Sequence, residues 1–368
     1  EPDKHEADTQ EVNKEKRLSI YDYAKGQLNE LDGKYGAIKD IIKHPFADQL
    51  AFLASKDTAE VKVFELFKYD FADNLKSCLI DTTSSVLPEG KSIVDNKSMY
   101  WSLSKNNLLY FYVNDIPRIA PKDTLTASEK VNLDIWHYGE PTLKTTQLAR
   151  LKRDLKNADL YAFNFATNQI YLLANDTLSL QSDHKELNEW VLASNNTNYK
   201  LSSMWDYNSI EDVYKLNLKT GEKSLIRTNM NGAIDLSRKG DMLISFNEKK
   251  GQYYALDLNT NIEKCITCDA KGRNWVNDVN GMPMDPNPVQ AFGFDQSGTR
   301  YYMADETDVF EYDFTKGILN NLSDNRGKKE NKEFRFLALS SDSSFVDLSR
   351  TALKVFDKKT KGNEIYEW

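Results

Sequence analysis

Apolar and polar residues alternate in short runs along most of the chain, and the runs close in the same way. Ser19-Ile20-Tyr21-Asp22 leads into Tyr23-Ala24-Lys25-Gly26, and Val213-Tyr214-Lys215-Leu216-Asn217 leads into Leu218-Lys219-Thr220-Gly221. Leu160–Phe165, Tyr253–Leu258, Val309–Phe314 and the looser Leu353–Asp357 repeat the form, with a degenerate copy at Val63–Phe67. Alternation of period two sends the aromatic residues to one face of a strand, and the Gly or Asn that follows supplies the positive φ of a tight turn. Each run therefore predicts a β-hairpin.

A second unit recurs between the hairpins, a polar turn before a short apolar strand. Ser237-Arg238-Lys239-Gly240-Asp241 precedes Met242-Leu243-Ile244, and Asp295-Gln296-Ser297-Gly298-Thr299 precedes Tyr301-Tyr302-Met303. From Asn164 to Asn217, Asp257, Asp313 and Asp357 the steps are 53, 40, 56 and 44 residues. Repeats of that period, each with four strands, predict an all-β fold, a β-propeller of four-stranded antiparallel blades, about seven in number and between six and eight. A charged segment over 1–17 is expected to be flexible, and 18–368 to form the propeller. Insertions are expected near 114–132, 142–158 and 269–288, the last interrupted by Pro283, Pro286 and Pro288. Leu148, Leu151 and Leu155 predict a short helix near Thr145–Asn157, with Arg150, Lys152, Arg153 and Lys156 on its other face. The chain enters on a hairpin and leaves on one, the pattern expected of a piece of a longer protein.

Composition narrows the possible partners. With 48 Lys and Arg against 56 Asp and Glu, the net charge of −8 argues against nucleic acid. No apolar run reaches the length of a transmembrane segment, and Glu1-Pro2-Asp3-Lys4-His5 lacks the apolar core of a signal peptide. Cys78, Cys265 and Cys268 are too few for a disulfide scaffold, and Cys265 and Cys268 are expected to be structural thiols.

Catalytic patterns are missing. Gly90-Lys91-Ser92 begins a nucleophile elbow that Val94 breaks. The histidines at 5, 44, 137 and 184 never fall at metal-ligand spacing. His44, before Pro45, is expected in a turn, and His137 in a packed strand. No phosphate-binding glycine loop is present, so the sequence points to no catalytic residue, cofactor or metal. The candidate substrate or partner contacts are loop aromatics beside acids, Trp205, Asp206 and Tyr207, with Trp275 and Asp278 in the Pro-rich insertion. Rings offer flat apolar area, and carboxylates orient amines or hydroxyls. The competing structural role for the rings is to cover blade edges.

An ordered set of motifs adds a resemblance. Gly33-Lys34-Tyr35-Gly36 through Gln49–Ala54, Val131–Tyr138, Thr146-Gln147-Leu148, Leu160-Tyr161-Ala162, Lys200–Trp205, Glu211–Tyr214 and Asp285–Pro288 together resemble the propeller of exported bacterial members of the prolyl oligopeptidase family. The resemblance implies a dipeptidyl-peptidase-IV-like serine peptidase in which a propeller gates or orients peptide substrates. A downstream α/β-hydrolase domain, beyond Trp368, would carry the Ser, Asp and His, and the protein would be periplasmic or secreted. Dipeptidyl peptidases of the family grip the substrate amine with adjacent glutamates. This chain has no Glu-Glu pair, which leaves Asp206 or Glu306 as single acids for that role. The alternative is a free-standing propeller, similar to that of TolB, that binds a protein partner.

Overall fold

The structure is a computed structural model that describes residues 15–367 except 24–25, 32, 59–60, 84, 117–125, 127–132, 134, 182–183, 188, 206–209 and 340–344, and leaves out the side chains of Asp22 and Ala233. Seven antiparallel sheets follow one another among the described residues. The first is the hairpin Ser19–Asp22 with Gln27–Glu30, and the second takes Ala37–Lys43, Gln49–Ser55, Glu65–Asp70 and Leu75–Ile80 in order. In the third, Leu108–Asp115 pairs with Lys91–Ile93 and Tyr100–Trp101 on one side and with Asp159–Asn164 on the other. Gln169–Ala174 follows the last of these.

The fourth sheet is Ser179–Leu180, Trp190–Asn195, Glu211–Asn217 and Lys223–Met230, and the fifth is Ala233–Leu236, Met242–Asn247, Gln252–Asp257 and Ile262–Cys265. Gln290–Phe294, Arg300–Ala304, Val309–Asp313 and Ile318–Asn321 make the sixth, and Lys332–Ala338, Thr351–Asp357 and Asn363–Glu367 the seventh. Consecutive strands that pair in order, sheet after sheet, are the blades of a β-propeller. The chain divides into two compact units: 1–101, 108–134 and 155–170 form the first, and 102–107, 135–154 and 171–368 the second.

Every predicted hairpin forms the last two strands of its sheet. In six of the sheets the Asp or Asn at the end of the penultimate strand turns its side chain back over the following amides. Asn217 Oδ1 accepts from the N–H of Lys219 (2.8 Å) and Thr220 (3.2 Å), Asp257 from Asn259 and Thr260, Asp313 from Thr315 and Lys316, and Asp357 from Lys359 and Thr360. Four residues on from the acid or amide stands a left-handed residue: Gly26, Asn74, Asn168, Gly221, Asn261, Gly317 or Lys361, with φ from 52° to 70°. Gly and Asn tolerate that region, so the composition of the turn follows from its geometry. Asp313 shows the electrostatic side of the device: the Thr315 hydroxyl, then the turn amides, hold its carboxyl down to about 2.

The residue just after the acid or amide ties the hairpin to the rest of its sheet. The N–H groups of Phe71, Leu218, Leu258, Phe314 and Lys358 donate to the carbonyls of Asp48, Glu189, Asp241, Thr299 and Asn331. Each acceptor is the residue immediately before the strand that the penultimate strand pairs with. One turn thus closes the hairpin on one side and fixes register on the other. The recurring polar turns work alike. Asp295 Oδ1 accepts from the N–H of Thr299 and Arg300, and Ser237 Oγ from those of Asp241 and Met242. His44 fills the same place with its ring, its Nδ1 accepting from the N–H of Phe46 (3.0 Å) and Ala47 (2.9 Å).

Several expectations need correction. The degenerate copy is better placed at Asp70-Phe71-Ala72-Asp73-Asn74, because the strand runs Glu65–Asp70 and Asn74 is the left-handed residue. Of the segment 1–17 only 15–17 are described, where Lys16 exchanges backbone hydrogen bonds with Tyr35 and Glu15 pairs with Lys34. The helix, α1, spans Lys144–Asp154 and buries nothing, with Leu148, Leu151 and Leu155 all at least half exposed. His137 is exposed and lies in a turn, where its Nδ1 accepts from the Gly139 N–H. Cys265 and Cys268 form a disulfide rather than two thiols. The 114–132 insertion falls largely outside the described residues.

The turn leads to a direct expectation. Asn217→Ala removes from a buried position the single acceptor that two backbone N–H groups share, together with the 3.3 Å bond to Glu189. It is expected to lower stability by about 1–3 kcal/mol, with Asn217→Asp recovering most of the loss in thermal melts.

Candidate functional site

The structure brings two of the sequence-selected residues, Trp275 and Glu306, together in the second unit. The expectation that Trp275 is an exposed contact residue fails. Only 1% of its surface is accessible. Its ring meets Tyr253 edge-on at 6.0 Å and Phe310 at 4.8 Å, pinning the Pro-rich insertion onto the fifth and sixth sheets. The loop aromatic is core because the strands it covers, Gln252–Asp257 and Val309–Asp313, present their own rings to it.

Beside it, Arg273 carries a positive charge into a nearly closed space. Its Nη1 lies 2.7 Å from Asp308 and 3.0 Å from Asp305, whose side chains are 0% and 2% exposed. Asp308 also accepts from the Ser323 hydroxyl (2.7 Å) and the Gly327 N–H (2.9 Å), the latter in the short helix α2, Arg326–Glu330. Burial pushes the Asp308 carboxyl up, but Ser323, Arg273 and Gly327 outweigh it and leave the group below its ordinary value.

Glu306 stands on the same turn and is exposed, yet its carboxylate is engaged by Lys358 at 3.0 Å and Asn274 at 3.3 Å, which hold it below the usual range. Asp278 is exposed and caps its own turn, accepting from the Asn280 N–H. Trp205 is 72% exposed at the end of a 3-10 turn. Asp206 and Tyr207 lie outside the described residues. The arrangement around Arg273 is a satisfied ionic joint that positions loops, and it carries no nucleophile paired with a base.

Two features were not singled out from the sequence. The first is a pocket of about 380 Å³ in the first unit. Phe64, Ile80, Leu87, Ile93 and Ile116 give it an apolar floor, and Asp81, Lys91 and Ser92 polar edges. Ser92 is 3% exposed, and its hydroxyl has no hydrogen-bond partner among the described residues. Lys91 is held above its ordinary pKa by Asp115 at 3.2 Å and then Asp159 at 3.7 Å. Such a volume and lining suit one apolar group with a polar attachment. Gly90-Lys91-Ser92 was the only local signal, and it marks the wall of a cavity instead of a nucleophile.

The second is Asp235, on the first strand of the fifth sheet. It keeps some accessible surface, but a Cβ at Gly293 would stand 3.6 Å from its Oδ2, and Tyr301 is fully buried nearby. Burial pushes its carboxyl up to about 7, against hydrogen bonds from Leu236 and Phe294.

No family model matches the chain, and no curated protein matches it. Structural neighbours include Porphyromonas gingivalis dipeptidyl peptidase 4, at 15% identity and a TM-score of 0.38, covering 95% of this chain and 48% of that one. The β-propeller domain of the trilobed protease from Pyrococcus furiosus matches at 12% identity and a TM-score of 0.35, covering 96% and 87%. TolB from Acinetobacter baumannii matches at 11% identity and a TM-score of 0.29, covering 83% and 59%. The chain thus spans about half the length of the dipeptidyl peptidase. What the sheets themselves define is the class, a β-propeller; similarities of this size define no family within it.

Two measurements test the charges. Arg273→Met strands two buried carboxylates and is expected to cost about 3–5 kcal/mol in denaturant unfolding. Asp235 has a folded-state pKa raised from 3.8 to about 7, so its stabilising protonated form is fully present below pH 4 and lost as pH rises through 7. Asp235→Asn should therefore gain stability over the wild type across that window and hold the gain above it; a difference independent of pH contradicts the assignment.

Proposed function

We propose that this chain is the non-catalytic propeller of a serine peptidase of the prolyl oligopeptidase kind, gating or orienting peptide substrates for an α/β-hydrolase domain elsewhere in the same protein. The observation that carries the reading is where the ordered motifs fall. Gly33–Gly36, Lys200–Trp205 and Asp285–Pro288 fall in segments that lead into strands, while Gln49–Ala54, Leu160–Ala162 and Glu211–Tyr214 lie within strands. Gly36 enters the second sheet where a Cβ would stand 1.9 Å from the Asp57 carbonyl. Tyr199, the residue before the Lys200–Trp205 motif, donates its hydroxyl to Asp212 of the Glu211–Tyr214 motif at 2.6 Å. Both oxygens then accept the Asn229 N–H. Pro288, closing the last motif, bridges to Val276 next to the buried Trp275. Three of the motifs, weak one by one, are thus tied to the segments around them.

In this reading the pocket beside Ser92 takes one apolar side chain of an extended peptide, with Asp81 and Lys91 among the polar residues that line it. The Cys265–Cys268 disulfide suits an oxidising, periplasmic or extracellular setting. Glu306, already paired with Lys358, is a poor grip for a substrate amine, so recognition of a free N-terminus would fall to another acid.

The chain alone is expected to hydrolyse no chromogenic dipeptidyl or prolyl substrate, while the protein of its complete reading frame hydrolyses short peptides and is silenced by a fluorophosphonate. Inhibitor-sensitive hydrolysis by the chain alone overturns the reading. A complete reading frame without a hydrolase domain does so as well and favours a TolB-like partner-binding propeller.

A further inference from the structure

The segment 135–154 exposes apolar side chains far out of proportion to its length. Ile135, Trp136, Tyr138, Leu143, Leu148 and Leu151 are between 50% and 95% exposed. They make up six of the 26 large hydrophobic residues exposed among the described residues, in a stretch of twenty. Isolated exposed apolar residues are ordinary, but a cluster marks a surface that something covers.

The segment is built, not frayed. The Glu140 N–H donates to the His137 carbonyl, the Gly139 N–H to His137 Nδ1, and Gln147 of α1 reaches back to Glu140 (2.8 Å) and to the Thr142 carbonyl (2.8 Å). These bonds hold the turn that bears Trp136 and Tyr138 against the first turn of the helix.

Charge identifies what the surface fits. In a chain of net charge −8, α1 carries Lys144, Arg150, Lys152 and Arg153 against the single acid Asp154, a balance of +3 in eleven residues. Lys144 and Lys152 lie one helical turn to either side of Leu148, so Lys152 shares the leucine face instead of the opposite one expected from the sequence, with Leu151 beside them. Their aliphatic stems can lie along an apolar surface while the ammonium groups reach outward. Exposed leucines, with an exposed Trp and Tyr in the adjoining turn and basic residues among them, are the chemistry of a helix that lies in the interface of an anionic bilayer. With eleven residues α1 lies on such a surface and does not span it, and no helix among the described residues is long and apolar enough to cross.

We propose that 135–154 is a membrane-surface element, which docks the propeller on anionic lipid through Trp136, Leu148 and Leu151 and the cations around them. The assignment is independent of whether the chain serves a peptidase. The test is co-sedimentation of the 368-residue chain with vesicles of phosphatidylcholine alone and of phosphatidylcholine with about one-third phosphatidylglycerol.

The expected result is binding to the mixed vesicles at least about tenfold tighter than to neutral ones. Leu148→Glu with Leu151→Glu should abolish it, and Lys152→Glu with Arg153→Glu should weaken it about tenfold or more. All four side chains are exposed, so circular dichroism should be unchanged. Equal binding to both vesicles, no binding to either, or binding insensitive to the leucine pair overturns the proposal. So does concentration-dependent self-association without lipid that the leucine substitutions abolish, because the face then belongs to a second copy of the chain.

Discussion

The side chain of one acid or amide, turned back over the amides that follow it, holds six hairpins among the described residues in place. A β-strand cannot end in the middle of a sheet without leaving backbone donors unpaired, and every such donor must find an acceptor. Asn217, Asp257, Asp313 and Asp357 supply that acceptor inside the turn, and the next residue's N–H extends the ladder toward the neighbouring strand. The left-handed residue four places on is the geometric partner of this arrangement. Together they make the hairpin a local decision, taken the same way in sheet after sheet.

That locality explains what the sequence revealed. Alternation, an acid or amide and the left-handed residue at fixed distance lie within ten residues, so six of the seven hairpins are legible in place. Asp70 was missed because Val63–Phe67 drew attention one turn too early. His44 shows the limit from the other side: a ring nitrogen does the work of a carboxylate, and only the following proline hinted at it.

The site was far less legible, because its properties arise between distant segments. Trp275 is buried by strands twenty to thirty-five residues away on either side. The pocket in the first unit is assembled from 63–64, 80–93 and 116, which no local pattern connects. Arg273 meets Asp305 and Asp308 across a loop and a sheet. In α1 the leucine spacing foretold a helix but not its exposure, since periodicity states which face is apolar and not what lies against it.

Rigid local joints and long-range ionic ones then divide the labour: the turns define blades, and the Arg273 cluster secures the insertion that the blades leave unsupported. The most direct measurement is native-state hydrogen exchange resolved to single amides. The account predicts that the N–H groups of Leu218, Leu258 and Phe314 are protected like those at the centres of the strands they follow. Exchange at the rate of an unstructured peptide at those three positions would show that the turn does not set the sheets, and would contradict it.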